Sequence, residues 1–127
     1  MTDKIIPDVI SNQKLQTLAP DATVREAANI MGTNRISAIL VLENDSLIGI
    51  VTERDMTAKV LAGGLDPNIT QISNVMTPNP DCLSPDDAPN SALELMSERG
   101  YRHLPVLDGQ NVVGMLSIRD LYAYVKN

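Results

Sequence analysis

The sequence predicts an α/β (α+β) fold made of two copies of one strand, helix, strand, strand, helix unit. Three observations predict it. Adding 65 to each residue number superimposes residues 10–60 on residues 75–125 without a gap. Apolar residues then switch between helical and strand-like spacing in the same order in both copies. The core, finally, must be aliphatic, because the 127 residues hold no Trp or Phe and only 3 Tyr. Ile, Leu, Val, Met and Ala suit sheets packed on helices.

The repeat is read from identical pairs spread over its whole length. They include Leu18/Leu83, Pro20/Pro85, Asp21/Asp86, Ala27/Ala92, Met31/Met96, Val41/Val106, Gly49/Gly114, Arg54/Arg119 and Asp55/Asp120. Other pairs keep their chemical character, such as Thr52/Ser117 and Ile48/Val113. An internal duplication explains such a pattern better than chance.

Each half opens on a short extended piece, "LQTLA" or "PDCLS". After "APDA", Val24, Ala27, Ala28 and Met31 recur at the spacing of an amphipathic helix, and Ala92, Leu93, Leu95 and Met96 mark its counterpart. Two apolar runs follow around a turn, "AILVL", "ENDS", "LIGIV" in one half and "HLPVL", "DGQN", "VVGML" in the other, each a predicted hairpin. A second helix, "ERDMTAKVLA" or "IRDLYAYV", closes each half. Residues 1–62 thus form the first repeat, 63–74 a connector carrying Gly63, Gly64 and Pro67, and 75–127 the second repeat. A domain of about 60 residues hides only about 60% of the surface its unfolded chain exposes. The halves are therefore expected to pack on each other about a pseudo-twofold axis.

Composition narrows the function classes. A net charge of -6 repels nucleic acid and anionic lipid unless basic residues gather on one face. No window approaches the ~20 apolar residues of a membrane span, and "MTDKIIPDVI" has no signal-segment pattern. The chain reads as soluble and cytoplasmic, with neither nucleic acid nor membrane as partner. Its one cysteine, Cys82, fits a reducing compartment.

The repeated stretches "GIVTERDM" and "GMLSIRDL" carry the chemistry. A strand that delivers Thr52 or Ser117 into a helix leaves that helix's first amides unpaired, where they and the dipole favour phosphate. An ionised Asp55 or Asp120 three residues later only accepts, which suits the adjacent hydroxyls of a ribose. Arg54 or Arg119 supplies a phosphate fork. The same Ser/Thr-x-x-Asp spacing also makes a capping box, in which the acid ties up the cap residue's amide.

These signatures, with "RHLPVLD" at 102–108, "VMTPNPDCLSPDD" at 75–87 and the element order, make the chain resemble a tandem pair of cystathionine-beta-synthase (CBS) domains, a Bateman module, as a stand-alone protein. The resemblance implies a non-enzymatic regulatory module that binds AMP, ADP or ATP in the cleft between its repeats. One implied cleft takes Thr52, Arg54, Asp55, Asp81, Cys82, Arg102, His103 and Arg119. The second takes Gln16, Thr17, Ser37, Ala38, Ser117 and Asp120. Arg102 and His103 stand where the first half has Ser37 and Ala38, so binding is expected to be tighter at the Thr52/Asp55 cleft and weaker or more neutral at the other. Asp81 departs from the apolar residues usual in the family's adenine-facing stretch. No cofactor is required, with Mg2+ only if ATP is the ligand.

Other readings stay open: a ligand-free module that dimerises through its helices, or a regulatory subunit of an enzyme or transporter with an unidentified effector. S-adenosylmethionine or a dinucleotide remains a candidate ligand. Catalysis has no nameable nucleophile and base. His103 has no second histidine or thiolate to complete a metal site, and Cys82 reads as a small buried hydrophobe. Asp86 and Asp87 read as helix-start acids, Met31, Met76 and Met96 as core fillers. The three tyrosines are too scattered for a nucleic-acid stacking platform.

Overall fold

Two adjacent residues in the "ENDS" turn fix the first hairpin. Asn44 and Asp45 both take positive φ, 51° and 64°, and the register pairs Glu43 with Ser46 across them. Two left-handed residues in a two-residue loop match the twist of the flanking strands. A computed structural model describes residues 3–126, and in it the chain divides into two compact units. One is Gln16–Pro80; the other joins the segment up to Leu15 to the chain from Asp81 onward.

In the first of these, β1 (Thr17–Leu18) lies parallel to β2 (Ala38–Glu43), which pairs antiparallel with β3 (Ser46–Thr52). A short strand, β4 (Thr77–Pro78), closes the outer edge of β3. Helix α1 (Val24–Asn34) places Val24, Ala27 and Met31 against Ile39, Val41 and Val51 of the sheet. The Thr23 hydroxyl caps α1 by accepting from the Glu26 amide at 3.1 Å. Ala28, expected on the apolar face, is exposed. Helix α2 begins at Glu53–Asp55 and continues as a wider π-helical stretch, Met56–Leu61.

The region expected as a connector is tied to this unit. Val24 donates to the Thr70 carbonyl, Ile72 donates to that of Ala22, and Ile72 and Val75 are buried in the core.

The second unit repeats the plan with two departures, one at each edge of the hairpin. Helix α3 (Pro89–Arg99), strands β5 (His103–Asp108) and β6 (Asn111–Ser117), and helix α4 (Ile118–Lys126) follow in the expected order. Ala92, Met96, Leu104, Val106, Leu116 and Leu121 form their core. The expected opening strand "PDCLS" is a single parallel bridge, Leu83 to Val106, at the place where β1 pairs in the other unit. Asp86 and Asp87 lie ahead of α3: Asp86 pairs with Lys4 at 3.2 Å, and Asp87 accepts from the Ser84 amide at 2.8 Å.

Among the described residues, no strand covers the outer edge of β6. Instead the Gln13 side-chain amide donates to the Met115 carbonyl and accepts from the Met115 amide, both at 2.9 Å. Met115 is the repeat equivalent of Ile50, whose partner is Thr77 of β4. One side chain thus stands in for a strand's two backbone bonds. Upstream, Ile5 is fully buried in this core and its amide donates to the Asp87 carbonyl.

The opening segments 10–15 and 75–80 are equivalent in the repeat, yet each packs with the other repeat's hairpin. Compact unit and sequence repeat are therefore offset from each other.

Helix α1 ends on Arg35 at φ 55°, in the left-handed region, while the equivalent end of α3 is Gly100 at φ 72°. A side chain pays a steric penalty there that glycine does not. Arg35→Gly is expected to raise stability by about 1 kcal/mol, read as a higher urea midpoint with an unchanged slope.

Candidate functional site

Both hydroxyl-x-x-Asp turns form where a hairpin's second strand runs into a helix. At the end of β3, the Thr52 hydroxyl accepts from the Asp55 amide at 3.3 Å. Asp55 Oδ2 in return accepts from the Thr52 amide at 2.9 Å and from its hydroxyl at 3.2 Å. That is a complete capping box, with Asp55 only 7% exposed. At the end of β6, Asp120 Oδ2 accepts from the Ser117 amide at 2.9 Å, and the Ser117 hydroxyl accepts from the Asp120 amide at 3.1 Å. The capping reading therefore holds at both turns.

The turns differ in the carboxylate's second oxygen. Asp55 Oδ1 pairs with Lys59 Nζ at 3.0 Å, and the same ammonium donates to the Val75 carbonyl at 2.7 Å. The residue equivalent to Lys59 is Tyr124, whose hydroxyl donates to the Asp3 carboxylate. That hydrogen bond, first of all, holds the Tyr124 hydroxyl above its ordinary pKa. A neutral phenol cannot neutralise Asp120. Among the described residues, Asp120 Oδ1 makes no hydrogen bond or ion pair.

Backbone pairing sets the expected site residues beside these turns, half by half. Ala38 pairs with Thr52 in the sheet, the Glu53 amide donates to the Ser37 carbonyl, and the Leu40 amide donates to the Gln16 carbonyl, with Thr17 opposite Leu40. Gln16, Thr17, Ser37, Ala38, Thr52, Arg54 and Asp55 thus belong to one unit. In the other, His103 pairs with Ser117 and the Ile118 amide donates to the Arg102 carbonyl, gathering Arg102, His103, Ser117, Arg119 and Asp120. The side chains of Arg54, Arg102 and Arg119 are exposed and form no ion pair among the described residues.

Asp81 is held by its neighbours: Tyr101 donates its hydroxyl at 2.7 Å, and Arg99 lies 3.6 Å away. Arg99 and Tyr101 were not anticipated from the sequence; the guanidinium partly offsets the charge of this unusual acid and the phenol donates to it. Burial, then the Asp81 charge, pushes the Cys82 thiol up from its ordinary value. A protonated thiol is a poor nucleophile. Among the described residues, no cluster of His, Cys, Asp and Glu is arranged to hold a metal ion, and no helix is long and apolar enough to cross a membrane.

The family model for the CBS domain matches the chain twice, at residues 5–62 and 72–127. The chain belongs to the CBS-domain family. It is similar to the CBS domain-containing protein YhcV of Bacillus subtilis, 33% identical over 116 residues that cover 91% of this chain and 81% of that protein. A putative signal-transduction protein with CBS domains from Burkholderia ambifaria superposes with a TM-score of 0.91 at 31% identity, covering 97% and 93% of the two chains. A structure of CBSX2 in complex with AMP shares the CBS-pair fold, at a TM-score of 0.76 and 21% identity over 88% of this chain and 87% of that one. Against CBS relatives from Schizosaccharomyces pombe, Arabidopsis thaliana and Methanocaldococcus jannaschii, the chain spans between 13% and 22% of their length.

Proposed function

We propose that this CBS pair is a non-catalytic sensor of an adenine nucleotide. The observation that carries the reading is the paired turn: each unit sets a hydroxyl and a carboxylate at a strand-to-helix junction, with an exposed arginine between them in sequence. A carboxylate accepts from the neighbouring hydroxyls of a ribose, and guanidinium groups bind phosphate oxygens. The carboxylate of one of these turns, Asp55 or Asp120, is the proposed ribose acceptor. Arg54, Arg102, His103 and Arg119 are the proposed phosphate contacts. Gln16, Thr17, Ser37, Ala38, Asp81 and Cys82 are the proposed flanking contacts, where backbone groups can read the base edge. AMP is the ligand to try first, because a chain of the same fold has been solved with it. Regulation requires that the ligand favour one conformation of the module over another, since equal affinity for both shifts nothing.

The test is the thermal stability of the protein against AMP, ADP, ATP with Mg2+, guanine nucleotides, S-adenosylmethionine and dinucleotides. A ligand present at about 100 times its dissociation constant adds roughly 2.7 kcal/mol of apparent stability. An adenine-selective rise supports the sensor. A second reading, an assembly module that binds no ligand, is favoured by the exposure of Leu61 at 80%, Ile69 at 77% and Val125 at 73%. A flat response to every ligand, together with self-association that persists on dilution, would replace the sensor by this module.

A further inference from the structure

Resting on the nucleotide reading above, we infer that Lys59 closes Asp55 to ligand and leaves Asp120 as the carboxylate that accepts the ribose. Lys59 then makes the two candidate ribose acceptors unequal. Its ammonium is held at two points, 3.0 Å from Asp55 Oδ1 and 2.7 Å from the Val75 carbonyl. The other oxygen of Asp55 is already taken by the Thr52 amide and hydroxyl. A ribose would have to displace an ion pair beside a buried carboxylate, breaking charge-assisted bonds to form weaker ones. Asp120 asks for no such exchange. Its cap uses Oδ2 alone, it is half-buried rather than buried, and Tyr124 in place of Lys59 turns to Asp3. The duplication has thus kept both aspartates while giving one of them an internal counter-ion.

The experiment is a calorimetric titration of AMP into the whole chain, for the wild type, Asp120→Asn, Lys59→Met and the Lys59→Met/Asp55→Asn double variant. Asparagine at 120 keeps an oxygen for the Ser117 amide, so the cap survives while the charge is lost. Methionine at 59 keeps the apolar stem and removes the ammonium. The wild type is expected to bind one equivalent, and Asp120→Asn to weaken that binding at least about ten-fold. Lys59→Met is expected to gain a second equivalent, which Asp55→Asn removes again. Two equivalents in the wild type, one in Lys59→Met, or wild-type affinity in Asp120→Asn would each overturn the role of Lys59 and leave the sensor standing. Absence of binding of AMP, and of ADP and ATP titrated in the same way, in both the wild type and Lys59→Met would overturn the sensor and this inference with it.

Discussion

Asp55→Ala is expected to lower stability by about 2–3 kcal/mol and Asp120→Ala by only about 1 kcal/mol, although the two residues are equivalent in the repeat. The difference follows from what each carboxylate holds. Removing Asp55 leaves the Thr52 amide without its acceptor in a part-buried setting and strands the Lys59 ammonium, which spans Asp55 and the Val75 carbonyl. An unmade bond to a buried group costs more than its net contribution when made. Lys59 is half-exposed, so water recovers part of its charge, and the loss stays below that of a fully buried pair. Removing Asp120 frees one part-buried backbone amide and no cation. Paired chemical-denaturation curves of the two alanine variants decide the point. Equal midpoints would show that Lys59 contributes nothing to the fold.

A second large asymmetry is expected at the repeated glycines. A methyl at Gly49 would sit 2.3 Å from Met76 Sδ, 2.9 Å from Met76 Cγ and 3.1 Å from the Thr77 carbonyl oxygen. At Gly114 the nearest atoms are Ile10 Cδ1 at 2.9 Å, Gln13 Oε1 at 3.2 Å and Ile6 Cδ1 at 3.4 Å. Both glycines let a crossing segment lie close over the hairpin. Side-chain ends can swing away from the second methyl, whereas the first also meets the backbone of β4. Gly49→Ala is accordingly expected to cost about 2 kcal/mol and Gly114→Ala about 1 kcal/mol, within the usual range for overpacking. Thermal unfolding checks it, and the reverse order would mean that β4 yields more readily than the Gln13 contact.

These glycines also show how far the sequence could be read. Their place in "GIVTERDM" and "GMLSIRDL" revealed the repeat, and the helix and strand order followed from apolar spacing that the duplication supplied twice. The reason for a glycine there was not legible, because the segments that crowd it lie far away in the chain. The same holds for Gln13, which reaches Met115 across 102 residues to do with an amide what β4 does with backbone. Local chemistry was more accessible. Thr52-x-x-Asp55 and Ser117-x-x-Asp120 announced their capping boxes, and Asp55-x-x-x-Lys59 carried the i, i+4 spacing of a helical ion pair. That spacing was the available signal for Lys59. The inequality read from Arg102 and His103 against Ser37 and Ala38 concerns phosphate and pointed to tighter binding at the Thr52/Asp55 turn, the opposite of what Lys59 implies. The one read from Lys59 against Tyr124 concerns ribose and rests on which carboxylate oxygen is occupied in the folded chain.

In the proposed sensor, an aspartate of a hydroxyl-x-x-Asp turn accepts the hydroxyls of an adenine ribonucleotide. The most direct test compares the affinities of AMP and 2′-deoxy-AMP for the wild-type protein under one set of conditions. Loss of a hydrogen bond to a charged acceptor predicts binding of the deoxy compound weaker by about ten-fold or more. Equal affinities would contradict the claim and return both turns to the sole role of capping helices.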